Sequence, residues 1–253
     1  MISTAVKRIA LYSTTGGVGK SFIAANLASS LFQRGFTVVL CELSSLGLLP
    51  MHFGGGLQVD TQTVQNPKEQ HINAYSLHKD FVLLTPNPSV SSTPAELLLA
   101  AVNQANKLSG ANGVIILDIP TALQFKNKSP LFNVGLEVVS ADPVSVAAVC
   151  NTKLFGKNCE ARYRMAHEDY IILNKKDLRS TLSNDSAMLT ETLFGDRLLG
   201  SIHYDATVSE AFAHKCLVGQ HSSQSQAAAD INELTSTLEN LIRPPSGTIQ
   251  EMA

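Results

Sequence analysis

The 253-residue chain has no tryptophan, and aromatic residues make up 6% of it. Charge is scarce and balanced, 19 Lys and Arg against 21 Asp and Glu, for a formal net charge of −2. A surface of this kind does not neutralise a phosphate backbone along its length, so no sequence-specific nucleic-acid partner is expected. The four cysteines, Cys41, Cys150, Cys159 and Cys216, stand far apart with no C-x-x-C pair. That spacing argues against a zinc ribbon or an iron–sulfur cluster, and hence against a metal-cluster carrier. No apolar run approaches the ~20 residues of a spanning helix, so no direct membrane insertion is expected. The first residues, MISTAVKRIALYS, lack the apolar core and cleavage site of a signal peptide, which leads us to expect a cytoplasmic setting. The seven histidines show no H-E-x-x-H or comparable metal spacing.

What is present is apolar residue in quantity, 44% of the chain, arranged in short runs that alternate with helical patterns. Strands are predicted at Arg8–Ser13, Phe36–Glu42, Phe81–Thr85, Gly113–Asp118, Leu136–Ser140, Tyr170–Leu173 and Leu198–Ile202. Helices are predicted from about Lys20 to Arg34, over Ala95–Leu108, Pro143 to about Phe155, Ser186–Phe194, Val208–His214 and Ala227–Ile242. Leu43 to Lys79 reads as a long irregular connection, interrupted by Gly54-Gly55-Gly56 and Asn66-Pro67. The alternation predicts an α/β fold: a mostly parallel, twisted sheet of about seven strands with helices on both faces. No repeat or linker divides it, so one domain over residues 1–243 is expected, with 244–253 as a loose tail after Arg243-Pro244-Pro245.

Between the first strand and the first helix lies Thr14–Ser21, TTGGVGKS. Gly16, Gly17 and Gly19 allow backbone N–H groups to approach a phosphate with no Cβ in the way. The helix N-terminus adds the positive end of its dipole. Lys20 can reach terminal phosphates, and Ser21 can place a hydroxyl on Mg²⁺. A Gly-rich turn by itself also serves tight strand–helix packing; Gly-Lys-Ser at the helix start is what points to phosphate.

The turn resembles the deviant P-loop K-G-G-x-G-K-[ST] of the MinD/ParA family, matched at Gly16, Gly17, Gly19, Lys20 and Ser21. Thr15 stands where that family has its first lysine, which crosses the dimer interface to the partner's nucleotide. The resemblance continues along most of the chain. VVLCELSSLG (Val38–Gly47) is similar to the second strand and switch I, with Glu42 and Ser44 in place of two aspartates. GVIILDIP is similar to the Walker B strand, with Asp118 at the metal-organising position. VVSADPVSV is similar to the segment after the next strand. Tyr170–Asn174 is similar to the strand whose closing asparagine recognises adenine. LLGSIHYDATVSEAFAHKCLV is similar to the late G-x-I-P-Y-D segment, with His203 replacing proline.

The resemblance implies ATP and Mg²⁺ as cofactors. It implies catalytic roles for Lys20 and Asp118 and metal contacts from Ser21 and Asp118. Nucleotide contacts are implied for Thr15, Gly16, Gly17, Val18, Gly19, Lys20, Ser21, Phe22, Asn174, Tyr204 and Asp205. It further implies a nucleotide-dependent homodimer that recruits a protein partner in a membrane-associated or polar assembly, as in the pilus-assembly and cellulose-secretion branches. Thr15 removes a cation and Ser44 a carboxylate, so turnover should suffer more than binding. A weak or absent ATPase activity is expected. Two other functions compete: an ATP-dependent ligase of the dethiobiotin-synthetase type, and a pseudo-ATPase scaffold needing no nucleotide.

The last predicted helix carries an apolar stripe, Ala227, Ile231, Leu234, Leu238 and Leu241, opposite a polar face assigned to Asp230, Glu233 and Glu239. A membrane-surface helix should be basic there, so packing against the domain is expected. The basic pairs Arg162/Arg164 and Lys175/Lys176 read as solvated surface.

Overall fold

The computed structural model describes residues 6–44, 47–58, 60, 71–110, 113–121, 131–151 and 166–243. The strands are β1 (Lys7–Tyr12), β2 (Thr37–Glu42), β3 (Ile72–His78), β4 (Phe81–Pro86), β5 (Gly113–Asp118), β6 (Phe132–Ser140), β7 (Ala166–Lys176) and β8 (Leu198–His203). The helices are α1 (Lys20–Gln33), α2 (Pro94–Leu108), α3 (Pro143–Cys150), α4 (Thr181–Phe194), α5 (Thr207–Ala213), α6 (Val218–His221) and α7 (Gln226–Ile242). Short 3₁₀ turns occupy Leu49–Phe53 and Gly195–Arg197.

All eight strands form one sheet in the order β3-β4-β2-β5-β1-β6-β7-β8. Every neighbouring pair is parallel except β3 and β4. Successive side chains of a strand point to opposite faces, and two apolar layers follow. Ile9, Leu11, Val38, Leu40 and Ile116 face α1 and α7 on one side. Ala10, Val39, Cys41, Ile115 and Leu117 face α2 on the other, where a separate cluster of Val139, Ile171 and Leu173 meets α3 and α4. β5 is buried at all six positions, which is why it reads as an unbroken apolar run rather than an alternating one.

The helix starts are set by local chemistry. Thr93 and Glu96 form a capping box ahead of α2, and Asp142, Ser180 and Ser225 cap α3, α4 and α7. Gly35, at φ 87°, takes the left-handed turn that ends α1.

The sheet has one strand more than the sequence predicts. β3 lies inside the stretch read as an irregular connection, together with the 3₁₀ turn at Leu49–Phe53. Its second half alternates exposed and half-buried positions, as an edge strand does, and its polar Asn73, Ser76 and His78 hide the apolar pattern. The helix predicted to reach Phe155 is described over Pro143–Cys150; residues 152–155, Cys159, Arg162, Arg164 and the tail 244–253 lie outside the described residues.

Parallel order brings the carboxyl ends of β1, β2, β5, β6 and β7 to one edge of the sheet. Leu11 and Glu42 both pair with Asp118, and Ser140 pairs with Asn174. Ligands of open α/β sheets bind at this edge.

Candidate nucleotide site

The turn after β1 wraps the start of α1. Gly17 and Gly19 have φ of 71° and 93°, conformations that a side chain resists. Gly19 is constrained twice, because a Cβ there would come within 2.4 Å of Asn174 Nδ2. Gly16 and Gly17 are exposed, whereas Val18 is buried in the core. Phe22 also turns its ring into the core, so any contact it makes to a ligand must come from its backbone.

Hydroxyls hold the turn in place. Ser13 Oγ donates to Thr15 O at 2.6 Å, and Thr14 Oγ1 donates to Glu137 Oε1 on β6 at 2.7 Å. Lys20 Nζ donates to Ser13 Oγ at 2.9 Å and to Thr121 Oγ1 at 3.2 Å. Burial lowers the Lys20 pKa, an effect the Asp118 carboxylate opposes. Its two hydrogen-bond partners, on Ser13 and Thr121, are neutral hydroxyls, which a phosphate oxygen would outcompete as an acceptor.

Ser21 Oγ donates to Asp118 Oδ2 at 2.5 Å. Burial raises the Asp118 pKa, while the Ser21 hydrogen bond and Lys20 pull it back down. A hydroxyl and a carboxylate meeting at a buried edge are hard oxygen donors of the kind Mg²⁺ takes. The sequence places these residues about 97 positions apart, and the structure brings them into contact.

Glu42 ends β2 with its side chain 1% exposed. One carboxylate oxygen accepts from Leu48 N at 2.8 Å and Leu49 N at 3.3 Å, fixing the start of the 3₁₀ turn. The other has no hydrogen-bond partner among the described residues. Burial pushes its pKa up to about 7, those two backbone bonds lowering it and Asp118 adding to the rise. Ser44 follows two residues later, on the loop leaving β2.

Thr15, in the place of the family's lysine, has its Oγ1 3.1 Å from Ser145 Oγ. Asn174, 4% exposed, donates from Nδ2 to Val18 O at 2.7 Å, so part of its amide is engaged with the turn itself. Tyr204 is 56% exposed; its N–H donates to Lys176 O, and Arg179 lies over its ring at 6.0 Å. Asp205 is half-buried. Its carboxylate accepts from Thr207 N and Oγ1 and from Ala227 N, joining the starts of α5 and α7. Tyr204, which follows β8, is held against the end of β7 by its own N–H bond to Lys176 O.

Lys175 is exposed, as expected, and its Nζ donates to Gly17 O at 2.7 Å, whereas Lys176 is half-buried and pairs with Glu191. One surface reading needs correction. Asp230 does not lie on a polar helix face: it is 6% exposed and accepts from His203 N at 2.7 Å, with His203 Nδ1 at 2.9 Å. The packing of α7 against the domain is as expected for Ala227, Ile231, Leu234 and Leu238, which are buried, whereas Leu241 of the predicted stripe is exposed and Ile242 is buried in the core instead. Ser13, Thr121, Glu137 and Ser145 were not singled out from the sequence. Only Thr121, three residues past Asp118 in the DIPT stretch, carried a signal that could have been read.

No group of three or more His, Cys, Asp or Glu able to hold a metal occurs among the described residues, and no described helix is long and apolar enough to cross a membrane. An apolar cavity of about 550 Å³ lies between α3 and α4, lined by Val146, Cys150, Leu182 and Leu189 and by no residue of the phosphate turn.

The fold recurs in known proteins. A virulence plasmid ParA family protein, pGP5-D of Chlamydia psittaci, is 25% identical over 268 residues, spanning 97% of this chain and 99% of the relative. The MinC:MinD cell division complex of Aquifex aeolicus superposes with a TM-score of 0.67 at 17% identity, covering 93% of this chain and 96% of that one. The septum site-determining protein MinD of Pyrococcus horikoshii, complexed with Mg-ADP, gives 0.66 at 17% identity over 93% and 97%. The cellulose biosynthesis protein BcsQ family model matches residues 6–237. With the phosphate turn, the Ser21–Asp118 pair and that match in place, the chain belongs to the BcsQ family, within the MinD/ParA-type P-loop ATPases.

Proposed function

We propose that the protein binds ATP with Mg²⁺ through Gly16–Ser21 and uses it to gate a homodimer that recruits a protein partner, with slow or absent hydrolysis. The observation that carries this reading is the meeting of Ser21 Oγ and Asp118 Oδ2 beside the Lys20 ammonium. Ser21 and Asp118 would hold Mg²⁺, directly or through water, and the ion would neutralise phosphate charge. Lys20 would exchange its two hydroxyl partners for phosphate oxygens. Asn174, at the end of β7, and the exposed Tyr204, whose N–H donates to Lys176 O, would contact the purine.

Support for gating comes from relatives. The Aquifex MinD structure holds its partner MinC, and the Pyrococcus MinD structure holds Mg-ADP. Membership of a cellulose biosynthesis family suggests a cytoplasmic assembly factor for polysaccharide secretion. The ligase reading gains nothing from the site. Calorimetry with ATP and Mg²⁺ tests the proposal: wild type should bind, and Lys20→Ala should bind at least about tenfold more weakly. No heat from wild type, or equal affinities, overturns it.

A further inference from the structure

Asn174 and Lys175, at the end of β7, hold two consecutive carbonyls of the phosphate turn. Asn174 Nδ2 donates to Val18 O and Lys175 Nζ to Gly17 O, each at 2.7 Å. A trans peptide is planar, with its N–H directed away from its C=O. Pinning the Gly17 and Val18 carbonyls toward β7 therefore turns the N–H groups of Val18 and Gly19 the opposite way, away from β7. Those are N–H groups a phosphate cradle uses.

We propose that Lys175, together with Asn174, is a positioning clamp that sets the phosphate turn before nucleotide arrives. The inference rests on the nucleotide-binding reading above for its purpose, but not for its geometry. The lysine bond is charge-assisted, so it also polarises the Gly17–Val18 peptide and makes the Val18 N–H a stronger donor. It brings an ammonium to a turn whose position 15 carries a hydroxyl. Lys175 reaches the turn from a backbone φ of 59°, a left-handed conformation that glycine or asparagine adopts more readily than a long side chain. The neighbouring Lys176, by contrast, makes an ordinary ion pair with Glu191 on α4 at 3.2 Å. The fit leaves no slack, since Asn174 Nδ2 occupies the space a Cβ on Gly19 would need.

The test uses Lys175→Asn, Lys175→Gly and Lys175→Arg in the full chain. Asn and Gly relieve the backbone and delete the ammonium; Arg keeps a cation. Two readouts are needed: hydrogen exchange of residues 16–19 without nucleotide, and ATP–Mg²⁺ affinity. The clamp predicts faster exchange and about tenfold weaker binding for Asn and Gly at unchanged thermal midpoint, with Arg recovering most of both. Exchange at wild-type rates in the Asn variant overturns the clamp. Absence of nucleotide binding by wild type would remove the function proposed above, while the exchange comparison would still decide the clamp.

Discussion

Thr15 Oγ1 lies 3.1 Å from Ser145 Oγ, and Ser145 Oγ in turn donates to Asp142 Oδ2 at 2.9 Å. The position that the family resemblance assigns to a lysine is thus tied, in this chain, to the N-terminal cap of α3. Asp142 also accepts from Ser145 N at 2.9 Å, so the cap serves the helix and the turn together. Asp142→Ala should cost about 1 kcal/mol of stability as a lost N-cap. It should also loosen residues 14–16, measurable as faster hydrogen exchange there. A stability loss without any change at the turn would confine Asp142 to capping α3.

Asn174→Ala tests purine recognition, with the complication that it also removes the hydrogen bond to Val18 O. Affinity alone would not separate the two effects. The ratio of ATP to GTP affinity does, because both nucleotides share the same phosphates. Wild type should prefer ATP, and the variant should bind both more weakly with the preference reduced. An unchanged ratio in competition assays would leave Asn174 as a brace for the turn and nothing more.

Glu42 gives the nucleotide-free protein a pH-dependent stability. Its folded pKa is raised, from an ordinary 4.5 to about 7. The folded state therefore holds a proton that the unfolded chain has released between those values. The stabilisation is complete below pH 4.5 and is lost as pH rises through 7, amounting to roughly 3 kcal/mol at most. Glu42→Gln keeps the shape without the charge and should become more stable relative to wild type between pH 5 and 8. Urea unfolding of both proteins with chelator present measures this; a difference independent of pH would mean that Glu42 stays ionised throughout.

The acidic residues of α7 bear on membrane contact. Glu239 pairs with Arg34 of α1 at 2.9 Å and with Arg243 at 2.5 Å, and Asp230 is buried against His203. The Arg34 and His203 contacts tie the helix to the domain. The protein alone should not sediment with anionic vesicles. Sedimentation that vanished on deleting residues 227–253 would refute this.

Much of the fold was legible because its signals are local. A buried parallel strand such as β5 shows an apolar run, and TTGGVGKS shows a phosphate turn between a strand and a helix. β3 was not legible: an edge strand buries only part of its length, and its pairing partner β4 is what makes it a strand. In the site, Lys20, Ser21 and Asp118 could be named because each sits in a recognisable motif. Lys175 and Ser145 could not, since neither residue type is informative alone. Their roles arise from register, which sets the end of β7 and the start of α3 against the turn. Asp230 was misplaced for a related reason. Helical periodicity put it on the polar face, and only the His203 backbone and ring explain how a carboxylate is tolerated inside.

The missing lysine leads to the last prediction. Thr15 offers no cation to a phosphoryl group and Ser44 offers no carboxylate to orient water, so wild-type turnover should be very slow while ATP binding persists. Thr15→Lys alone should do little, for two reasons. The new ammonium would sit beside the Ser145–Asp142 pair, where a carboxylate of its own chain competes for it. It would also face a water that nothing aligns. Ser44→Asp alone supplies the carboxylate without the charge-neutralising partner. The double change should therefore exceed either single one, by about 10² or more over wild type, and non-additively if the two groups act as a unit. Steady-state phosphate release measured beside ATP-dependent dimerisation for all four proteins decides it. The dimer measurement matters, because a cation that acts across an interface can do so only where two protomers face each other over their nucleotides. Robust hydrolysis by the unmodified protein would sink the prediction, since some other group would then be doing the work of the absent lysine.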